Sequence, residues 1–514
     1  MRVGLFVSLS FIAVQTLAGC GERAQPGQSA CDNVVPPPAA CMTQCDPAPG
    51  APTTCPGGYH CTPDGTCDAL CTQAGGECGD GYRCTPDGRC VGTDECVGLE
   101  CDIVDCNGMS QPPTTISGTV YAPNGTLPLY GVNVYVPNVP LGPPVDGAVC
   151  DRCGNTLPGY PLSRVQTDEE GKFVLTDVPA GANVPVIIQS GKWRREITIP
   201  NVAACADTAL PATDTRFPRN KSEGYLPKFA ISTGSADAFE CLPRKLGIDD
   251  SEFSTDGGGG SIHLYADNGA GNGEGANKFR SGFPGGSGDF ANSTSLWDNL
   301  DKLKQYDIVI LSCEGDHYPD TKSQNALDAV KAYADFGGRV FLSHWHNIWI
   351  GGDFRDQGTG QTQAVWDTIA TWDRNTNLTS ATAMIDEVLN PKGDSFATWM
   401  LNVMGSTVRG EVTVNQARIT ASAIDPSKAE RWAYLEDGGD QTPQIFQFTT
   451  PNEQPQENRC GKVVFSDMHV SADSNSDPDT AFPGDCQDTP LTPQEKALAF
   501  MFFDIASCVA GPIL

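Results

Sequence analysis

Three short apolar runs in the second half of the chain each end in a polar tip that contains histidine. They are IVIL at 308–311 before SCEGDH, VFL at 340–342 before SHWHN, and VVF at 463–465 before SDMH. Apolar runs of this length between polar residues predict buried strands. Four of the six histidines follow these runs, namely His317, His344, His346 and His469. Because ligands bind outside the carboxyl ends of the strands in open α/β sheets, we expect the functional site there.

Strand-like and helix-like patterns alternate over residues 226–510. Amphipathic segments predict helices at 323–336 and 493–506, and the second opens with a capping box of Thr492 and Glu495. Further helices are predicted at 237–246, 295–306, 361–372 and 395–404, and further strands at 229–232, 261–266, 431–435 and 445–448. Alternating strands and helices indicate a parallel sheet, so we expect an α/β doubly wound, flavodoxin-like domain.

Residues 114–205 alternate apolar and polar positions with the period of a strand. Strands are predicted at 116–121, 132–136, 172–175, 184–189 and 195–199, with turn residues between them. The pattern predicts an all-β sandwich. It carries an insert with a CxxC pair, Cys150 and Cys153, and no βαβ context surrounds this pair. We therefore expect each cysteine to form a disulfide, with Cys205 as a suggested partner.

The segments SGTVYAPNGTLPLYGVNVYVPN and TDEEGKFVLTDVPAGANVPVIIQSGKW closely resemble the carboxypeptidase-regulatory-like domain. The matching residues are Ser117, Gly118, Val120, Gly131, Val132, Val134, Thr167, Asp168, Gly171, Phe173, Val178, Pro179 and Gly181. The resemblance implies a transthyretin-like sandwich. It also implies a spacer or a non-catalytic binding module, with carbohydrate among the ligands of the family.

Residues 55–106 form a cysteine-rich repeat module. CPGGYHCTPDGTC at 55–67 recurs as CGDGYRCTPDGRC at 78–90. Few large apolar residues are present, so cross-links must replace a core. The disulfide candidates are Cys55, Cys61, Cys67, Cys78, Cys84 and Cys90, and a metal cluster is the alternative. Residues 31–106 hold 13 cysteines, so one of them must stay free or pair outside the module.

Residues 1–20 have the features of an export signal, with Arg2 before an apolar run and LAGC at its end. LAGC resembles a bacterial lipobox, which implies a lipid on Cys20 and a membrane anchor. Gly21 after this cysteine implies the outer membrane or cell surface of a Gram-negative bacterium. Residues 21–54 then form a tether rich in Pro, Ala, Gln and Gly. The net charge of −30 argues against binding to nucleic acid.

The three strand ends resemble a degenerate class I glutamine amidotransferase-like domain, closest to its ThuA-like members. YDIVILSCEG at 306–315 resembles the strand and oxyanion loop, GGRVFLSHWHN at 337–347 the strand into the nucleophile elbow, and GKVVFSDMHVS at 461–471 the strand carrying the catalytic histidine. The departures are large, because His344 stands where the cysteine belongs and Ser471 where the glutamate belongs. The turn also lacks the two elbow glycines. We therefore expect neither glutaminase chemistry nor a Cys–His–Glu triad.

Cys313 has two interpretations. It follows a predicted strand and has a histidine nearby in sequence, which is the setting of a catalytic thiol. The chain has an export signal and further cysteines in the same region, which favours a structural disulfide instead. We expect the disulfide, with Cys241 as a suggested partner.

Metal binding is a further candidate chemistry at the strand ends. Zinc ligands could come from His344, His346, Asp467 and His469, with Glu314 and His317 nearby. The alternative is that these are hydrogen-bonded loop residues. A calcium loop is suggested by Asp473, Asn475, Asp477 and Asp479, although Pro478 and Gly484 replace residues such a loop needs.

The sequence as a whole predicts an envelope-anchored protein with a non-catalytic binding or structural role, whose ligand is a carbohydrate, a peptide or another protein. The alternative is an envelope hydrolase, metal-assisted, that uses the strand-end histidines. If the three strands are neighbours, Glu314, His344 and His469 meet at one crevice. We then expect the two imidazoles to lie within about 10 Å of each other, the scale of a small-ligand pocket.

We predict that Cys20 is the first residue of the mature protein and carries the lipid. Cells grown with a labelled fatty-acid analogue should incorporate label into the wild-type protein and not into Cys20→Ser. Equal labelling of the two proteins would contradict the anchor.

Overall fold

The structure is a computed structural model of the whole chain. The residues it describes are 31, 41, 43–48, 55, 59–69, 71, 78, 82–85, 88–93, 95–153, 157–266, 275–354, 362–366, 368–470, 481–484 and 486–509. The sequence-based expectations for Cys20, for Ser471 and for the acidic loop at 473–479 lie outside these residues. Within the described part the protein is rich in strands, with a few helices and a disulfide-rich N-terminal region.

Two small hairpins make up the N-terminal region. Their strands are β1 (His60–Cys61), β2 (Cys67–Asp68), β3 (Tyr82–Cys84) and β4 (Cys90–Gly92). β1 pairs with β2 and β3 with β4, both antiparallel. The repeat in the sequence is therefore a repeat of hairpins.

Disulfides tie each hairpin together. The pairs in this region are Cys31–Cys41, Cys45–Cys61, Cys55–Cys67, Cys71–Cys84, Cys78–Cys90 and Cys96–Cys101. The expected disulfide framework is confirmed, and oxidised sulfurs are not the thiolates a metal cluster needs. The odd cysteine, Cys106, pairs outside the module with Cys205.

Seven strands form two sheets after this region. They are β5 (Thr115–Thr119), β6 (Asn133–Pro137), β7 (Pro161–Gln166), β8 (Lys172–Thr176), β9 (Gly181–Ser190), β10 (Trp193–Val202) and β11 (Asp207–Ala209). One sheet has the order β10-β9-β6-β7 and the other β11-β5-β8. Alternate residues such as Val134, Leu175 and Val186 are fully buried in a shared core. This period-two burial is what the apolar alternation predicted.

The insert between β6 and β7 is held by two long-range disulfides. Cys150 pairs with Cys460 and Cys153 with Cys508. The expected pairing with Cys205 is wrong, because the insert reaches across to the C-terminal sheet and Cys205 is already bonded to Cys106. Both links join the sandwich covalently to the C-terminal half.

The C-terminal half is built around one large sheet. The strands of this half, inside and outside the large sheet, are β12 (Phe229–Ser232), β13 (Phe253–Thr255), β14 (Ile262–Ala266), β15 (Ala291–Asn292), β16 (Ile308–Leu311), β17 (Arg339–Ser343), β18 (Ala370–Thr371), β19 (Thr376–Asn377), β20 (Ser380–Ile385), β21 (Glu411–Asn415), β22 (Arg418–Ile419), β23 (Ala423–Ile424), β24 (Glu430–Asp437), β25 (Asp440–Thr450) and β26 (Gly461–Ser466). The sheet order is β13-β14-β12-β16-β17-β26-β25-β24-β20-β21, with β15 beside β14. The strands from β13 to β26 in this order are parallel. The remaining four extend the sheet in antiparallel fashion, which the sequence did not predict.

Helices connect and cover these strands. They are α1 (Ala212–Thr215), α2 (Cys241–Lys245), α3 (Thr294–Trp297), α4 (Leu300–Leu303), α5 (Gln324–Phe336), α6 (Ile348–Gly351), α7 (Gly393–Asn402) and α8 (Pro493–Ile505). α5 begins at the cap Ser323, and α8 has the predicted capping box. The helix predicted at 295–306 is two short helices, α3 and α4. The helix predicted at 361–372 is wrong, because part of it forms β18, which pairs with β23 instead.

An aromatic cluster joins the sandwich to the large sheet. The Trp193 ring on β10 stacks on Phe217 with 5.5 Å between centroids, and it contacts Phe229 of β12. Phe502 and Phe503 of α8 pack against the same indole. Burial of each Phe ring stabilises the folded state by about 1.5–3 kcal/mol. The two halves therefore share one continuous core.

The described helices include none with the length and apolarity needed to cross a bilayer. The many disulfides are typical of a protein that matures in an oxidising compartment.

We predict that the two disulfides of the insert stabilise the junction between the halves. Replacing Cys150, Cys153, Cys460 and Cys508 by serine should lower the melting temperature by about 5–15 °C, since each link contributes about 2–4 kcal/mol. The measurement is differential scanning calorimetry. Cys96→Ser with Cys101→Ser, a pair outside the junction, is the control and should shift the transition much less. Equal shifts would contradict a role of the insert in joining the halves.

Candidate functional site

The carboxyl ends of β16, β17 and β26 lie side by side at one edge of the large sheet. β17 is central, with Leu342 opposite Leu311 of β16 and opposite Phe465 of β26. Every residue of the three strands is buried, and each strand contains the predicted apolar run. Because they are parallel and in this register, the residues that follow them are brought together.

Cys313, His344 and His469 form a cluster at this edge. The Cys313 Sγ lies 3.3 Å from His344 Nδ1, and the two imidazole centroids are 5.1 Å apart. One side-chain ligand atom from each residue lies within 4.8 Å of the other two. The exposed fractions are 0%, 4% and 5%. The expected approach of His344 and His469 is confirmed.

The expected disulfide of Cys313 is wrong. Cys241 pairs with Cys486 instead, and Cys313 is the one cysteine of the described residues outside a disulfide. The reason is positional: Cys313 lies under the strand-end loops, where its sulfur also accepts a hydrogen bond from the Gly315 N–H at 3.4 Å. The sequence favoured a disulfide over a thiol paired with a histidine. The structure instead contains the free thiol, beside His344.

His344 has an unusual backbone conformation. It follows β17 directly and has φ +46°, in the left-handed region that residues with a Cβ avoid. Strain of this kind persists where the surrounding structure enforces it, often at functional sites. A sharp strained turn after a strand is also the geometry that exposes a nucleophile in an elbow. Here that turn presents an imidazole.

Asp237 holds the two histidine-bearing loops in place. One carboxylate oxygen accepts from the Ser343 hydroxyl, next to His344. The other accepts from the Val470 N–H, next to His469, at 2.9 Å. Asp237 is 1% exposed, and burial raises its pKa to about 7. Sequence reasoning missed this residue, and its position after β12 was the one available signal.

Burial sets the protonation of the cluster. It raises the pKa of the Cys313 thiol to about 12 and lowers the pKa of His469 to about 3. At neutral pH the metal-free site therefore holds a thiol and a neutral His469 imidazole. A protonated thiol is a poor nucleophile, whereas a neutral imidazole is the form that binds a metal.

The other candidate residues have structural partners. His346 Nδ1 accepts from the Trp349 indole at 2.6 Å, and burial lowers the pKa of this histidine well below its usual value. Both Asp467 oxygens accept from Thr420, and burial raises the pKa of Asp467 to about 7. Neither His346 nor Asp467 belongs to the three-residue cluster.

Two more candidates lie beside the cluster, and each contacts a buried charged side chain or carboxyl group. His317 Nδ1 is 3.0 Å from Asp353 Oδ1. Glu314 accepts from the Lys322 ammonium at 2.5 Å, and both side chains are almost fully buried. Glu314, which follows Cys313 in the sequence, therefore pairs with Lys322.

The three ligands of the cluster, one thiol and two imidazoles, match a transition-metal site. A tetrahedral zinc ion with a Zn–S bond of about 2.3 Å and a Zn–N bond of about 2.0 Å needs sulfur and nitrogen roughly 3.5 Å apart. The observed separation of Cys313 Sγ and His344 Nδ1 is 3.3 Å. Among the described residues, His469 Nε2 is buried and has no hydrogen-bond partner, and the same is true of His346 Nε2 outside the cluster. A buried nitrogen without a partner is unfavourable unless it binds something.

Comparisons with known proteins give little further information. No family model matches the chain, and no curated protein matches it. A crystal structure of a type II cohesin–X-dockerin complex from Acetivibrio cellulolyticus, an N-terminal interface mutant, matches at 18% identity over 29% of this chain and 88% of that chain, with a TM-score of 0.15. A C-terminal interface mutant of that complex matches at 20% identity over 26% of this chain and 85% of that chain, also with a TM-score of 0.15. Scores this low do not establish a shared fold.

Proposed function

We propose that the C-terminal half binds a zinc-class divalent ion through Cys313, His344 and His469. The observation that carries the proposal is the mutual approach of three buried ligand atoms within 4.8 Å at the ends of three adjacent strands. Cysteine and histidine are the preferred zinc ligands. Metal binding would stabilise the Cys313 thiolate in an otherwise unfavourable buried position.

The metal site fits into a wider proposal for the whole chain. The protein would be exported, anchored by a lipid on Cys20, and raised on its cysteine-rich module. The sandwich would be a carboxypeptidase-regulatory-like spacer, and the C-terminal half a doubly wound domain derived from the amidotransferase-like fold. The disulfides and the strand-rich architecture support export and several domains. The primary role would be binding at the cell envelope.

A second candidate function is metal-assisted hydrolysis. Three protein ligands leave one position of a tetrahedral ion for water or substrate, which is the arrangement of catalytic zinc sites. Cys313 would replace His346 in the ligand set suggested by the sequence. The test is hydrolysis of ester and peptide substrates by metal-loaded protein, with loss of activity in Cys313→Ser.

We predict that the purified protein binds about one zinc ion per chain. The Cys313→Ser and His469→Gln variants should lose more than about 100-fold in zinc affinity. Replacing even a residue that only hydrogen-bonds to a metal ligand lowers metal affinity about 10–100-fold. The measurement is metal content by mass spectrometry after dialysis, with titration against a chromogenic chelator. His60→Gln removes an imidazole from the N-terminal region and should retain the metal. Full metal content in Cys313→Ser, or none in the wild type after zinc loading, would contradict the site.

We predict that Asp237 positions the ligands. A carboxylate accepts one bond on each oxygen, whereas the amide of Asp237→Asn has a single acceptor, so one histidine loop should be released. Zinc affinity should fall about 10-fold. Asp207→Asn is the matched control, because Asp207 also accepts from two hydroxyls, those of Thr115 and Ser117, in the sandwich. An affinity loss as large in the control would show that the effect is not local.

A further inference from the structure

A cleft of about 660 Å³ lies between the sandwich and the large sheet. Its walls come from β6, β7 and β9 of the sandwich, from the insert, and from α7, α8, β24 and β25. Lys462, at the start of β26, lines it, whereas His469 follows the other end of the same strand. The cleft is therefore at the opposite edge of the sheet from the metal-ligand cluster. Its size and its place between two layers are typical of small-ligand sites.

One wall of the cleft carries an aromatic surface. The half-buried Tyr130 ring lies parallel to Phe500 of α8, with 6.1 Å between centroids and 12° between planes. Trp399 lies beside Phe500, and its indole N–H is already bonded to the Pro128 carbonyl. Phe500 thus packs against the tyrosine on one side and against Trp399 on another, which restricts the orientation of the Tyr130 ring. An aromatic ring held this way can pack against the apolar C–H face of a flat, ring-shaped ligand.

Planar polar side chains line the same cleft. Gln447 is 6% exposed and its Nε2 donates to Glu430, and its Oε1 has no hydrogen-bond partner among the described residues. Asn133 and Gln166 add further amides from the sandwich. Amides offer a donor and an acceptor side by side, and carboxylates offer two acceptor oxygens, so both suit hydroxyl groups. A buried amide oxygen without a partner leaves a place for a ligand hydroxyl.

The cleft is lined by more cationic than acidic side chains, whereas the chain as a whole is strongly negative. Four cationic side chains, Arg152, Arg164, Lys392 and Lys462, face three acidic ones, Asp151, Glu430 and Asp504. The two lysines share Asp504. Within the described residues neither arginine is paired with a carboxylate. In a protein with net charge −30, this local excess of positive charge favours an anionic ligand.

We propose that this cleft binds an acidic saccharide, a hydroxyl-rich ring that carries a carboxylate. The ring would pack on Tyr130, hydroxyls would bond to Gln447 and Glu430, and the carboxylate would pair with Arg164 or Arg152. Guanidinium groups bind carboxylates with two parallel hydrogen bonds. This inference is independent of the metal site, since the two share no residue.

Isothermal titration calorimetry of the full chain with digalacturonate, and with neutral galactobiose as the matched sugar, tests the proposal. Digalacturonate should bind the wild type at least about 10-fold more tightly than galactobiose. The Arg164→Gln variant should lose about 10-fold in affinity for digalacturonate and little in affinity for galactobiose. A tenfold loss corresponds to the loss of about one hydrogen bond between charged groups. Tyr130→Ala should weaken both sugars.

Arg280→Gln and Tyr82→Ala are the matched controls, because both residues are exposed outside the cleft. Both should bind digalacturonate as the wild type does. Arg164 is itself exposed, so its replacement leaves the fold intact. Equal affinity for the neutral sugar, equal affinity for an aspartate tripeptide, unchanged binding in both cleft variants, or no binding at millimolar concentration would each overturn the proposal.

Discussion

The parallel pairing of β16, β17 and β26 is the constraint on which the candidate site depends. Their register places the ends of the three strands level with one another, so the next residues of each loop share one small volume. Cys313, His344 and His469 are separated by 31 and more residues along the chain and still meet. The apolar side chains of the strands supply the stability that holds this edge, because each is removed completely from water.

Burial at the sheet edge explains both the strain and the chemistry of the cluster. A thiol and an imidazole that are excluded from water favour their neutral forms, which is why the pKa of Cys313 rises and that of His469 falls. A metal ion bound at the proposed site would compensate for this loss of hydration by direct coordination. Asp237 adds rigidity, since one carboxylate is bonded to residues adjacent to both histidines.

The junction with the sandwich forms the cleft at the other edge of the large sheet. Trp193 and the phenylalanines of α8 fill the contact, and Cys150–Cys460 and Cys153–Cys508 cross it. Elements of two layers that are joined this firmly can form a cleft of fixed shape. The aromatic surface and the arginines of that cleft come from different parts of the chain, so they become one site through this junction alone.

The sequence by itself determined the local features. Apolar runs with polar tips identified β16, β17 and β26, and the cysteine repeat identified the disulfide-bonded hairpins. The period-two pattern identified five of the seven sandwich strands and missed β7 and β11. These local features depend on residues that lie only a few positions apart in the sequence. The tertiary structure alone decided which cysteines pair, since Cys241–Cys486 and Cys153–Cys508 span 245 and 355 residues and need particular Cβ positions. It also decided that Cys313 remains a thiol beside His344, that Asp237 joins the site, and that the last four strands of the sheet, β25, β24, β20 and β21, are antiparallel. These depend on distances between distant segments, which no local pattern of residues encodes.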